Sequence, residues 1–161
     1  MALTDTLLSR VKKYKFELIV AVLIFILDRI TKVLALKYLL PKASVAVLPF
    51  FSLTYVENTG SAFGLFQNAN WFLLAVSFLV LFLMIKWYKD IFNLGSWARY
   101  GYFLVFAGAL GNIYDRIVLR YVVDFLDFHV WPVFNIADSA ICVGAFLIGI
   151  GILKENKRSN K

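Results

Sequence analysis

One cysteine, Cys142, and one histidine, His129, occur among 161 residues. A single thiol excludes an intramolecular disulfide and any multi-cysteine metal site. A lone histidine without a cysteine cluster leaves too few ligands for zinc, so no metal and no cofactor is expected. Acidic residues are scarce, 10 against 17 Lys and Arg, and with so few carboxylates each buried one needs a reason. No internal repeat and no low-complexity segment is evident, which excludes solenoid and linker-rich architectures.

Apolar residues are abundant: 61% of the chain, with a mean hydropathy of +0.78. A soluble domain is nearer half apolar. The excess falls in four blocks, about 16–38, 71–87, 100–119 and 131–153, each close to the ~20 residues that cross a bilayer core. Whole segments lack a polar face, which argues against a soluble bundle. The expectation is a single all-α polytopic membrane domain of four transmembrane helices spanning 1–161.

The formal charge is +7, and its distribution matters more than its size. Arg10, Lys12, Lys13 and Lys15 precede the first block. Lys86, Lys89 and Arg99 lie between the second and third, and Lys154, Lys157, Arg158 and Lys161 follow the fourth. With four crossings these all fall on one side, which the positive-inside rule makes cytoplasmic, with both termini inside. The basic residues flank spans and form no continuous patch, so nucleic acid is not an expected partner; membrane phospholipids are. The first block imitates a signal peptide, but Asp28-Arg29 follows it where a small-residue cleavage site belongs, so an uncleaved span is expected.

The outer loop, about 39–70, contains Phe51-Ser-Leu-Thr-Tyr-Val56, whose alternation reads as a strand, followed by a turn at Glu57-Asn-Thr-Gly60. A small extracytoplasmic β element between spans one and two follows. In this topology Asp28-Arg-Ile-Thr-Lys32, the segment after Asn58, Gly111-Asn-Ile-Tyr-Asp-Arg116, and Asn135 with Asp138 all converge on the outer leaflet. The inner halves are nearly bare of polar groups. A transporter or channel, the competing class, requires polar groups through both halves.

An ionisable group near hydrocarbon is costly and marks function by default. Asp124 and Asp138 lie at the edges of the last two spans, and two adjacent carboxylates can share a proton and activate water. Pattern does not separate Asp124 from Asp127 in Val122-Val-Asp-Phe-Leu-Asp127. Asn112 stands three residues before Asp115 and four before Arg116. Asn135 and Asp138 are spaced i,i+3 and can face one cavity. Asp28 with Lys32 at i,i+4, and Asp115 with Arg116, read as structural ion pairs; Arg116 could instead orient a carboxylate or a substrate carbonyl. Ser61 with Lys32 is the competing Ser–Lys hydrolase, although Lys32 has Asp28 beside it. His129 reads as a polar loop residue and Cys142 as a small packing residue. Trp71, Trp87, Trp97 and Trp131 stand at span ends, as an aromatic belt does.

Five segments in order, Asp28-Arg-Ile-Thr-Lys32, Asn58-Thr-Gly-Ser-Ala-Phe63, Gly111-Asn-Ile-Tyr-Asp-Arg116, Val122-Val-Asp-Phe125 and Phe134-Asn-Ile-Ala-Asp138, together resemble the bacterial lipoprotein signal peptidases (signal peptidase II) over nearly the whole chain. The resemblance implies an aspartic endopeptidase of the bacterial cytoplasmic membrane. It would cut diacylglyceryl-modified prolipoproteins just before the lipidated cysteine. It places the catalytic pair at Asp124 and Asp138, and site-lining or supporting positions at Asn58, Gly60, Asn112, Arg116, Asn135 and Ala137. Globomycin- and myxovirescin-type inhibitors are implied as ligands. The chain is expected to act as a monomer.

Overall fold

The computed structural model describes residues 12–60 and 68–159; Ser61 and the end of the Asn58–Phe63 motif lie outside them. The described residues form α1 (Lys15–Tyr38), β1 (Ser44–Leu48), β2 (Phe51–Asn58), α2 (Asn70–Lys86), α3 (Tyr88–Asn93), α4 (Ser96–Val118), β3 (Val122–Asp127) and α5 (Ile136–Ser159). The four long helices overlie the four apolar blocks. By length and composition, Ile136–Arg158 is the one described helix apolar enough to cross a membrane, with mean hydropathy 2.2. Helix α2 is equally apolar in character but has 17 residues. Helices α1 and α4 are long enough, yet carry Asp28, Arg29, Lys32, Asp115 and Arg116.

Three of those charges are inside, and Arg29 and Arg116 are half-buried. Asp28, Lys32 and Asp115 are each only 1% exposed, whereas Phe16, Phe82 and Phe146 are more than 60% exposed. Polar groups buried among helices with large apolar residues outside invert the usual soluble pattern. Helix α4 is central and packs against α1, α2, α3 and, most closely, α5. Small residues permit that approach: a Cβ on Gly108 would run into the Ala137 carbonyl oxygen, and one on Gly101 into that of Gly144. Leu74, Leu81, Met84, Tyr102, Val105, Ala109 and Ile113 fill the seam between α2 and α4.

The strands form one antiparallel sheet in the order β1-β2-β3. Leu53 and Tyr55 of β2, with Val123 and Phe125 of β3, pack on Ala35 and Leu39 at the end of α1. The register pairs Val56 with Asp124 and Asn58 with Val122, so it carries Asn58 to the third strand.

Three expectations are corrected. The β element expected only within the loop of about 39–70 gains a third strand from Val122–Asp127, so Asp124 sits in the sheet. The first four residues of that strand are buried, which erases the in–out alternation that announces a strand. Strand β2 runs through Glu57 and Asn58, where a turn is expected, because β3 gives those residues partners. Helix α5 starts at Ile136, five residues late: Leu126 bridges Phe134, which extends the chain until Asn135 can cap the helix.

Candidate active site

The site lies where the sheet meets the first turn of α5. Asn135 precedes α5 and caps it. Its Oδ1 accepts the Asp138 N–H at 2.9 Å, and Asp138 Oδ2 accepts the Asn135 N–H at 3.3 Å. This is a capping box, with each partner satisfying an orphan amide of the other. The remaining arm of Asn135, Nδ2, donates to Asp124 Oδ1 at 2.6 Å. One fully buried asparagine therefore ties the strand aspartate to the helix aspartate.

The other carboxylate oxygens are equally committed. Asn58 Nδ2 donates to Asp124 Oδ2 at 2.8 Å, and Asn112 Nδ2 donates to Asp138 Oδ1 at 2.7 Å. Asn58 is held in turn by the Gly60 N–H, which donates to its Oδ1 at 3.0 Å. Arg116 Nη2 approaches the Gly60 carbonyl at 3.5 Å, next to both carboxyls. Burial above all, and then the Asp138 carboxylate nearby, push the Asp124 carboxyl up to about 7, against the amides of Asn58 and Asn135 that pull it down. Desolvation and a like charge both disfavour a second anion.

Beneath the carboxylates lies a four-charge network of zero net charge. Lys32 Nζ is 2.9 Å from Asp115 Oδ2, 3.2 Å from Asp28 Oδ2 and 2.9 Å from Asn112 Oδ1. Arg29 closes the network, with 2.6 Å contacts to both Asp28 and Asp115. The carboxylates also satisfy backbone: Asp28 Oδ1 accepts the Ala137 N–H at 3.0 Å, and Asp115 Oδ2 accepts the Val123 N–H at 3.2 Å. Asp28 thus caps α5 beside Asp138, and Asp115 steadies β3 beside Asp124.

The predicted residues Asn58, Gly60, Asn112, Arg116, Asp124, Asn135, Ala137 and Asp138 come together here, with Asp28, Lys32 and Asp115 below them. The expected pairing of Asp115 with Arg116 is not found. One residue apart on a helix, the two side chains diverge, and Asp115 turns to Arg29 and Lys32 while Arg116 faces Gly60 and the two aspartates. Asp127 stands apart: its carboxylate binds Thr54 and the His129 N–H, bonds that hold it below the usual carboxylate range. His129 bonds Ser52. Sequence reasoning missed Arg29, whose guanidinium also stacks on Tyr114; its place beside Asp28 in the first motif was the available signal. It also missed Asn70, which holds the Arg116 carbonyl at 3.2 Å. Among the described residues no group of three His, Cys, Asp or Glu side chains is arranged to hold a metal.

Both the sequence and the fold have known relatives. The family model described as signal peptidase (SPase) II matches residues 20–154. The lipoprotein signal peptidase of Thermodesulfovibrio yellowstonii is 45% identical over 83% of this chain and 91% of that protein. The one from Caldanaerobacter subterraneus is 47% identical over 81% and 90%. Two bacterial membrane enzymes solved by the in meso method, at 2.3 and 1.9 Å, superpose with TM-scores of 0.77 and 0.76. They share 30% and 33% identity and cover 89% and 87% of this chain, and 91% and 94% of their own. On its sequence and its fold, the chain belongs to the signal peptidase II family, the lipoprotein signal peptidases.

Proposed function

We propose that the chain is an aspartic endopeptidase that removes the signal peptide from diacylglyceryl-modified prolipoproteins, cutting before the lipidated cysteine. The observation that carries this reading is the double engagement of Asn135, which binds Asp124 through Nδ2 and Asp138 through its Oδ1 and N–H. Two carboxyls so joined hold one proton between them at neutral pH. The charged one takes a proton from water, and the hydroxide attacks the scissile carbonyl carbon. The protonated one donates to the carbonyl oxygen as it becomes negative. Collapse of the tetrahedral species breaks the C–N bond, and the proton taken from water passes to the leaving amine. The products are the signal peptide carboxylate and the free α-amine of the lipidated cysteine. Arg116, beside Gly60, is suited to orient the substrate carbonyl.

In the same reading α1, α2, α4 and α5 are four spans of the bacterial cytoplasmic membrane, with both termini cytoplasmic and the site near the outer leaflet. The exposed apolar faces of these helices fit lipid, and the short α2 fits a locally thin crossing. The lipid anchor holds the substrate at the depth of the site, so acyl chains mainly position the peptide. The enzyme acts as a monomer, and globomycin- and myxovirescin-type inhibitors occupy this site. The test is cleavage of a diacylglyceryl-modified prolipoprotein by purified enzyme. Asp124→Asn and Asp138→Asn should each abolish turnover in folded protein, while Asp127→Asn keeps most of it. A dead Asp127→Asn beside an active Asp124→Asn would assign the wrong strand aspartate.

A further inference from the structure

The mechanism leaves open which carboxyl starts charged, and it makes no use of Lys32. Both gaps meet at Asn112. The Lys32 ammonium is buried and has three acceptors, Asp28, Asp115 and Asn112, one for each of its protons. Because Asn112 Oδ1 accepts from Lys32, and from Asn135 Nδ2 at 3.3 Å, the amide cannot flip. Its Nδ2 must face Asp138.

The two aspartates are consequently unlike. Asp138 stands in the first turn of a 24-residue helix, where the helix dipole favours an anion. It accepts a backbone N–H, and one neutral amide separates it from a lysine. Asp124 lies on a strand, 1% exposed, with two neutral side-chain amides as donors. The charged groups facing this cluster are Asp28, Arg29 and Lys32 of α1, Asp115 and Arg116 of α4, Asp124 of β3 and Asp138 of α5.

We infer that Lys32 is a positioning residue for the reaction: through Asn112 it fixes the amide that faces Asp138 and keeps Asp138 the charged carboxylate, leaving the shared proton on Asp124. This rests on the two-carboxylate mechanism proposed for the site. Asp138 then takes the proton from water, and Asp124 donates to the substrate oxygen. The four-charge network is more than a staple between α1 and α4, because its charge sets the lower pH at which the water-activating anion survives.

Two variants move that boundary in opposite directions. Asp115→Asn keeps an acceptor for the Val123 N–H but leaves Lys32 less neutralised. Its pH–rate profile in lipid nanodiscs should extend to lower pH. Lys32→Met combined with Asp115→Asn removes one charge of each sign and leaves the Asp28–Arg29 pair. Its acidic limb should move about one unit up, a roughly fivefold loss of rate at the pH where the wild type is half-active. Should the double variant fail to fold, Asp115→Asn decides alone. A separate readout is the infrared stretch of a protonated carboxyl at pH 6 in protein labelled with ¹³C-aspartate. The band should vanish in Asp124→Asn and persist in Asp138→Asn. Acidic limbs that stay in place, or the reverse infrared pattern, overturn the inference while leaving the dyad intact. Turnover surviving in Asp124→Asn or Asp138→Asn would instead overturn the mechanism on which it rests.

Discussion

Asn135 and Asp138 cap one another: the asparagine Oδ1 takes the aspartate N–H at 2.9 Å, and the aspartate Oδ2 takes the asparagine N–H at 3.3 Å. The pairing that starts helix α5 is therefore also the pairing that orients one of the two aspartates. Folding the helix and aiming the carboxylate are a single event, and the spare amide of Asn135 extends the arrangement to Asp124.

Substitutions at Asn135 can divide those roles. Serine caps helices as well as asparagine does but has no amide to reach Asp124. Asn135→Ser should keep near-normal thermal stability in detergent and lose most of kcat. Asn135→Ala should lose kcat and also about 1–2 kcal/mol of stability. Equal stability losses in the two variants would show that the Asp124 bond, and not the cap, holds the fold here.

Close packing around Asp28 supplies a second expectation. A Cβ on Gly111 would lie 2.6 Å from Asp28 Oδ2 and 3.3 Å from the Ala137 Cβ. Asp28 cannot yield cheaply, since Arg29, Lys32 and the Ala137 N–H all hold it. Gly111→Ala should cost about 1–3 kcal/mol and reduce activity by shifting the first turn of α5. Gly149→Ala, with nothing within 4 Å of the new methyl, should be neutral or slightly stabilising. Unfolding temperatures of the two purified variants make the comparison.

The charge network yields a third. Removing Lys32 or Asp28 alone leaves a buried charge without its counterpart, at a cost of about 3–5 kcal/mol. Asp28→Ala with Lys32→Ala keeps the Arg29–Asp115 pair and zero net charge, so it should recover part of the loss. Recovery stays incomplete because the Ala137 N–H still lacks its acceptor. A double variant as unstable as the sum of the singles would mean that the two charges do not interact.

Much of this arrangement was legible in the sequence, for identifiable reasons. The helices follow from apolar run length. The convergence of Asp28, Asn112, Asn135 and Asp138 follows from the direction of each helix. What escaped was anything that depends on pairing between distant segments. Strand β3 is buried on both faces, so its pattern resembles the end of a span; only its partner β2 reveals it. The partner of Asp115 was misjudged because Arg116 is its neighbour in sequence, whereas Arg29 and Lys32 are its neighbours in space. Asp124 and Asp127 look alike as residue types; the sheet separates them by burying one and leaving the other to Thr54 and His129.

The proposed topology is open to direct labelling. With Cys142→Ala as background, single cysteines replace Ser44 in β1 and Asn93 in α3. An impermeant thiol reagent on intact cells, with outer-membrane access provided where needed, should label position 44 and spare position 93. The reverse pattern would invert the orientation and place the site at the cytoplasmic face.

Burial of Asp124 predicts a pH dependence of stability whose sign can be worked out. Its carboxyl is pushed from an ordinary 3.8 up to about 7, so between those values the folded protein binds a proton that the unfolded chain releases. Stability from this group is complete below about pH 4 and is lost as pH rises through 7. Asp124→Asn has no proton to lose. The unfolding temperature of the variant, relative to wild type, should therefore rise between pH 4.5 and pH 8 in the same detergent. The same proton is the acid of the proposed mechanism, so wild-type kcat should fall along an alkaline limb near pH 7. Parallel stability curves for the two proteins would mean that Asp124 ionises as an ordinary carboxylate, and the alkaline limb would then need another group.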